Sequence, residues 1–186
     1  VDPVQQPVTT LITGEELLAM GDIGPCELLD GRIVPMSPTG GKHGIIEFRL
    51  SSALGRFVEQ HGLGWILTGE VGIYIRRDPD RVRGADIVFL SRERWPDGPP
   101  EGFLDETPDL VVEIMSPHDR WQEVRQKLAE YFTIGVSQVW IVEPENRAVI
   151  VFRSRIDLQQ FDAGEILVGE GILEGFTLSV AELFAT

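Results

Sequence analysis

The chain lacks most of the covalent and membrane devices that proteins of its size can lean on. A single cysteine, Cys26, stands among 186 residues, which excludes an intrachain disulfide and any zinc cage built from cysteines. No apolar run approaches the roughly 20 residues that a membrane-spanning helix needs, so no membrane association is expected. The stretch Val1–Pro7 has neither the basic start nor the apolar centre of a secretory leader, and a cytoplasmic location is the expectation. Positive charge is scarce as well. With 16 Lys and Arg against 30 Asp and Glu, the net charge is −14, which argues against a broad phosphate-binding surface and leaves room only for a local basic strip.

What remains is an ordinary globular composition, 42% hydrophobic and 25% charged, long enough to bury a core as one domain over 1–186. An extended arm is predicted over 1–12, a helix and hairpin extension over 13–41, a core over 42–155 and short C-terminal strands over 156–186. Thr13 and Glu16 have the spacing of a capping box at the start of a short helix. Residues 27–36 read as a hairpin with Asp30 and Gly31 at its turn. From Lys42 to about Gln60, Ile46, Leu50, Ala53, Leu54 and Phe57 recur on one helical face.

Strands are predicted at 65–68 running into 71–75, then at 85–90 and 110–115. The last two are nearly continuous apolar runs, the pattern of strands covered on both faces. Residues 95–108, rich in Pro, Gly and acid, read as a surface loop. A second helix over 118–134 buries Trp121, Val124, Leu128, Tyr131 and Phe132, with Gly135 as its C-terminal cap. Strands at 138–143 and 148–153 follow. The helical crossover between 110–115 and 138–143 is long enough for a parallel βαβ unit, which implies a mixed sheet with helices on both sides. Trp65, Trp121 and Trp140 read as core residues.

Each of the two apolar strands holds one acid, Asp86 in the first and Glu113 in the second. A carboxylate inside an apolar strand is costly unless it is paired, hydrogen-bonded or bound to a metal. Two on neighbouring strands can converge on one Mg²⁺ or Mn²⁺, hard cations that favour oxygen ligands. Equally, each acid can sit near a strand end and meet Arg or backbone donors. Lys127 lies at the border of the buried face of the second helix, where it can reach the strand ends or simply pair with Glu123 one turn earlier. His43, near the apolar face of the first long helix, reads as a packing residue or as part of a site. Glu47 and Glu70 are weaker candidates for a further ligand. Asp109 is expected to be solvated and Asp119 to suit the helix dipole. No phosphate loop, nucleophile elbow or dinucleotide fingerprint is present.

Taken as a set, the hairpin 27–38, His43, residues 83–90, 108–120, 124–131, 135–144 and the tail 175–178 resemble the Uma2 family (DUF820) of the restriction-endonuclease-like PD-(D/E)XK superfamily. The resemblance implies an α/β fold: a restriction-endonuclease-like mixed β-sheet flanked by helices, with an N-terminal β-hairpin extension. It implies a metal-dependent endonuclease acting on DNA, a hydrolase of phosphodiester bonds. In that scheme Asp86 and Glu113 bind Mg²⁺ (or Mn²⁺), and Lys127 assists the attacking water. His43 and Glu70 are additional candidates, and a homodimer fits the same pattern. The sequence departs from it at two points. Met115 occupies the place of the usual Lys, for which Lys127 on the neighbouring helix can substitute, and Ala85 precedes Asp86 where Pro is usual. An inactive member acting as a binding or assembly module is the alternative. A hydrolase of some smaller phosphate ester is a third reading.

Overall fold

The computed structural model describes residues 10–185, so residues 1–9 of the predicted arm lie outside the described residues. The predicted capping box forms at α1 (Gly14–Ala19): the Thr13 hydroxyl accepts the Glu16 N–H, and the Glu16 carboxylate accepts that of Thr13. β1 (Cys26–Leu29) and β2 (Arg32–Pro35) make the hairpin. Asp30 and Gly31 both take positive φ at its turn, 54° and 74°, as a tight two-residue connection of this hand requires.

α2 (Gly41–Gln60) buries His43, Ile46, Leu50, Leu54 and Val58. The two strand pieces predicted next are a single strand, β3 (Gly64–Arg76), broken by a bulge at Gly69 and Glu70. β4 (Arg81–Ser91) pairs with β3 along its length, and β5 (Leu110–Ile114) lies on the other edge of β4. α3 (Trp121–Thr133) crosses from β5 to its parallel neighbour β6 (Gln138–Glu143), as the crossover length predicts. β7 (Ala148–Phe152) and β8 (Leu158–Asp162) extend the sheet antiparallel to its edge. β9 (Ile166–Val168) and β10 (Thr177–Ser179) form a small second sheet before the last turn, α4 (Val180–Leu183).

α2 packs on one face of the main sheet against Ile87, Phe89, Leu110, Val112 and Trp140. α3 packs on the other against Ala85, Val88, Val111, Val139 and Ile141. Covering both faces explains why β4 and β5 are apolar on both sides, and why an acid within either stands out.

Three local expectations need correcting. The segment 95–108 is not merely superficial: Trp95 and Leu104 are buried, and Leu104 exchanges backbone hydrogen bonds with Gly72 and Tyr74. It thereby supplies partners to the outer edge of β3 at Gly72 and Tyr74, whose backbone groups would otherwise go unpaired there. Asp109 is buried rather than solvated, accepting the Ser91 N–H at 2.7 Å and lying 3.2 Å from Arg94 Nε. α3 begins at Trp121 rather than His118, because Asp119 accepts the Ser116 N–H in a preceding turn. Of the three tryptophans read as core, Trp140 is fully buried, while Trp65 and Trp121 are half-buried.

Candidate metal and phosphate site

The site follows from the way strands share β4. One edge of β4 is filled by β3. The other carries β5 at Ile87–Phe89 and β1 only at Val82, which leaves residues 83–86 facing a gap between the two strands. Backbone groups facing such a gap still need partners. Here side chains provide them. Gly84 donates its N–H to Glu27 Oε1 (3.2 Å), and its carbonyl accepts from Lys127 Nζ (3.3 Å). Across the gap, Asp86 Oδ2 accepts the Ile114 N–H at 2.6 Å, a bond a strand neighbour would otherwise make.

Because no strand separates the two faces here, residues from both helices meet in one cavity of about 680 Å³. From the α2 side, His43 Nε2 lies 3.2 Å from Asp86 Oδ1, and His43 Nδ1 lies 3.9 Å from Glu47 Oε2. His43, Glu47 and Asp86 each offer a ligand atom within 4.8 Å of the other two. His43 is 7% exposed, and its Nδ1 has no hydrogen-bond partner among the described residues. Burial alone would lower the His43 pKa, but the hydrogen bond and charge of Asp86, with Glu47 and Glu70, raise it. Burial and the charge of Asp86 also raise the Glu47 and Glu70 carboxyls.

From the α3 side, Lys127 takes the first of its two expected courses, reaching the strand ends rather than pairing with Glu123. It pairs with Glu113 Oε2 at 2.8 Å and stands 3.5 Å from Glu27 Oε1. Tyr131, fully buried, donates its hydroxyl to Glu113 Oε1 at 2.5 Å. Burial pushes the Glu113 carboxyl up to about 7, and the charge of Asp86 adds to it, while Lys127 and Tyr131 hold it down. Burial would lower the Lys127 pKa, yet Glu113 and Glu27 raise it. Asp86 and Glu113 thus line one cavity but bond toward opposite faces of the sheet, and Glu113 lies outside the three-residue cluster.

Glu70 reaches the cavity from the bulge of β3, where it holds a positive φ of 59°. Its carboxylate leans on Gly84: a Cβ there would stand 3.0 Å from Glu70 Oε2. The structure therefore gathers all five residues singled out in the sequence, Asp86, Glu113, Lys127, His43 and Glu70, together with Glu47. Sequence reasoning missed Glu27, Arg83 and Glu130. Arg83 donates to Glu27 Oε2 at 2.7 Å and to both oxygens of Glu130, at 2.6 and 3.2 Å. Their signal was faint. Glu27 opens a hairpin that reads as an accessory, and Glu130 is one of many acids on an amphipathic helix.

The donor set suits a divalent cation. It comprises two carboxylates and an imidazole whose buried Nδ1 has no hydrogen-bond partner among the described residues. Among the described residues, no helix is long and apolar enough to cross a membrane.

No curated protein matches the chain. Among solved structures, the crystal structure of "a putative nuclease belonging to DUF820" from Anabaena variabilis ATCC 29413 superposes with a TM-score of 0.79. It is 22% identical and covers 94% of this chain and 98% of its own, so the two share the restriction-endonuclease-like fold. The family model of Uma2, described as "Putative restriction endonuclease", matches residues 15–181, and on that match the chain belongs to the Uma2 family.

Proposed function

We propose that this protein is a metal-dependent endonuclease that hydrolyses phosphodiester bonds of DNA, with the gap beside β4 as its active site. The observation that carries this reading is the meeting in one cavity of His43 and Asp86, which cluster with Glu47, and the Glu113–Lys127 pair. Asp86, Glu47 and His43 would hold a Mn²⁺ or Mg²⁺ ion, which when bound supplies a Lewis acid that polarises a phosphoryl oxygen.

The chain's own residues have distinct tasks in this scheme. Asp86 is oriented by the Ile114 N–H, so its other oxygen stays directed at His43. Lys127 offers a permanent positive charge to an incoming phosphate or to the water that attacks it. Glu113 holds that ammonium in place, and Tyr131 fixes Glu113 in turn. Glu70 adds a further carboxylate to the cavity from the bulge of β3. Pairing of two copies would let the two strands of a duplex be cut together.

One observation favours the alternative of a catalytically weak binding module. The cavity is lined by six acids, Glu27, Glu70, Asp86, Glu113, Asp119 and Glu123, against two permanent cations, Arg83 and Lys127. A cleavage assay on linear, supercoiled and single-stranded DNA with Mn²⁺ or Mg²⁺ separates the two. Cleavage by the wild type that is lost in Asp86→Ala and Glu113→Ala supports the nuclease. Cleavage that survives both substitutions sinks the mechanism, and no cleavage by the wild type favours the binding module.

A further inference from the structure

We infer that Glu27, on the N-terminal hairpin, is a positioning residue that holds Lys127 in the active-site gap through a chain of charges anchored on α3. The inference rests on the proposed role of Lys127 in the site.

Three oxygens surround the ammonium: it donates to Glu113 Oε2 at 2.8 Å and to the Gly84 carbonyl at 3.3 Å, and Glu27 Oε1 stands at ion-pair distance, 3.5 Å. The three oxygens come from three strands, β5, β4 and β1. Glu113 alone would neutralise the charge. Glu27 is itself already neutralised, because its other oxygen takes Arg83 Nη1 at 2.7 Å, and Arg83 is in turn held by both oxygens of Glu130. Glu27 and Arg83 are each 6% exposed. A pair that is already neutral and buried gains little by crowding a second cation. Its arrangement has a directional result instead: Glu27 Oε1 is pinned by the Gly84 N–H at a fixed point opposite Glu113. The ammonium is thereby kept over the gap and cannot fold back along α3 onto Glu123.

The contacts also rank the partners. Glu27 makes the longest of the three, and it is the one a phosphate oxygen would replace as substrate enters. Glu27 therefore sets where Lys127 waits, while Glu113 keeps its bond throughout. The hairpin, joined to β4 by a single paired position, Leu28 with Val82, is the element that carries this residue to the gap.

The sequence supplies its own probe, since Lys42 and Lys127 are its only lysines. Competitive acylation of the full-length protein, read by mass spectrometry, gives the reactivity of Lys127 relative to exposed Lys42 without any substrate. Glu27→Gln keeps the shape and removes the charge, and is expected to raise that ratio roughly three- to tenfold, since a neighbouring charge at this range is worth up to about one pKa unit. An unchanged ratio in folded Glu27→Gln overturns the positioning role, whatever the activity does. A raised ratio in a protein whose wild type cleaves nothing supports the positioning role and overturns the nuclease reading. Glu27→Asp keeps the charge and draws it back by one methylene, so its ratio is expected between the two. It also decides the matter should Glu27→Gln fail to fold, a wild-type ratio there overturning the proposal.

Discussion

Replacing Lys127 by Met isolates the electrostatics of the gap and predicts a stability cost that depends on pH in one direction. In the wild type, burial places the Glu113 carboxyl at about 7 against an ordinary 4.5, with its side chain 13% exposed. The folded state therefore holds this proton more tightly than the unfolded chain. Its contribution to stability is fully present below the unfolded value and is lost as pH rises toward the folded one, by at most about 3.5 kcal/mol at about 1.4 kcal/mol per unit. Methionine removes the ammonium that holds the carboxyl down and leaves the burial that raises it, so the folded value climbs above 7. Wild type and variant then lose stability in parallel up to about pH 7, and only the variant goes on losing it beyond. The cost of Lys127→Met is thus flat between about pH 5 and pH 6.5 and grows by up to about 1.4 kcal/mol per unit above pH 7. Its ceiling is roughly the 3–5 kcal/mol of a broken buried ion pair. Urea unfolding of both proteins at several pH values measures this directly. In a Glu113→Gln background the pH-dependent part should vanish. A cost that stays constant or shrinks between about pH 6 and pH 9 would refute the assignment of an ionisable Glu113 held by Lys127.

Three further outcomes follow from the same geometry. Mn²⁺ at about a hundred times its dissociation constant should stabilise the wild type by roughly 2.7 kcal/mol; thermal melts should lose this shift in Asp86→Asn and Glu47→Gln, and a shift retained in both would place the ion elsewhere. Tyr131→Phe deletes the hydroxyl that bonds Glu113 Oε1, and should cost about 1–3 kcal/mol above pH 7 in urea unfolding, less where Glu113 is neutral. Gly84→Ala brings a methyl to 3.0 Å from Glu70 Oε2 and 3.3 Å from Met36 Cε, both flexible chain ends. It should change stability by less than about 1 kcal/mol while displacing Glu70 and reducing cleavage, whereas a large drop in melting temperature would show that Gly84 is tied to the fold instead.

Much of the fold was legible because it rests on local rules. The capping box at Thr13, the Asp30–Gly31 turn, the apolar stripe of α2 and the two-sided burial of β4 and β5 each follow from a handful of adjacent residues. Asp86 and Glu113 stood out by the same logic, as charges where the pattern calls for apolar side chains. What stayed hidden depends on pairing between distant segments. Asp109 reads as a solvated loop acid until Ser91 and Arg94 are known to converge on it. Lys127 has an acid one turn away in sequence, yet its partners lie on β5 and β1, and nothing local distinguishes the two outcomes. Glu47 looked weaker than Glu113 as a ligand, because a half-buried acid on a helix is common. It stands one turn from His43 on the same helix, but only the position of α2 over the gap brings the two beside Asp86.

That gap also explains why an acidic chain can carry a phosphate-handling site. A continuous sheet would separate α2 from α3, and the imidazole and ammonium could not serve one cavity. Ending β1 and β5 short of each other on β4 opens a passage between the faces, but it exposes backbone groups that must be satisfied from side chains. Acids satisfy N–H donors and a lysine satisfies the carbonyl, so charge accumulates there as a consequence of topology. The balance is left negative, six carboxylates against Arg83 and Lys127, and Arg83 is consumed by Glu27 and Glu130. A phosphodiester entering such a cavity is repelled unless further positive charge is present, since unit charges about 4 Å apart interact by several kcal/mol at the effective dielectric of a protein site. On the proposed reading, then, the cation at His43, Glu47 and Asp86 is needed for binding as well as for chemistry. Substrate affinity, and not only turnover, should fall when it is removed.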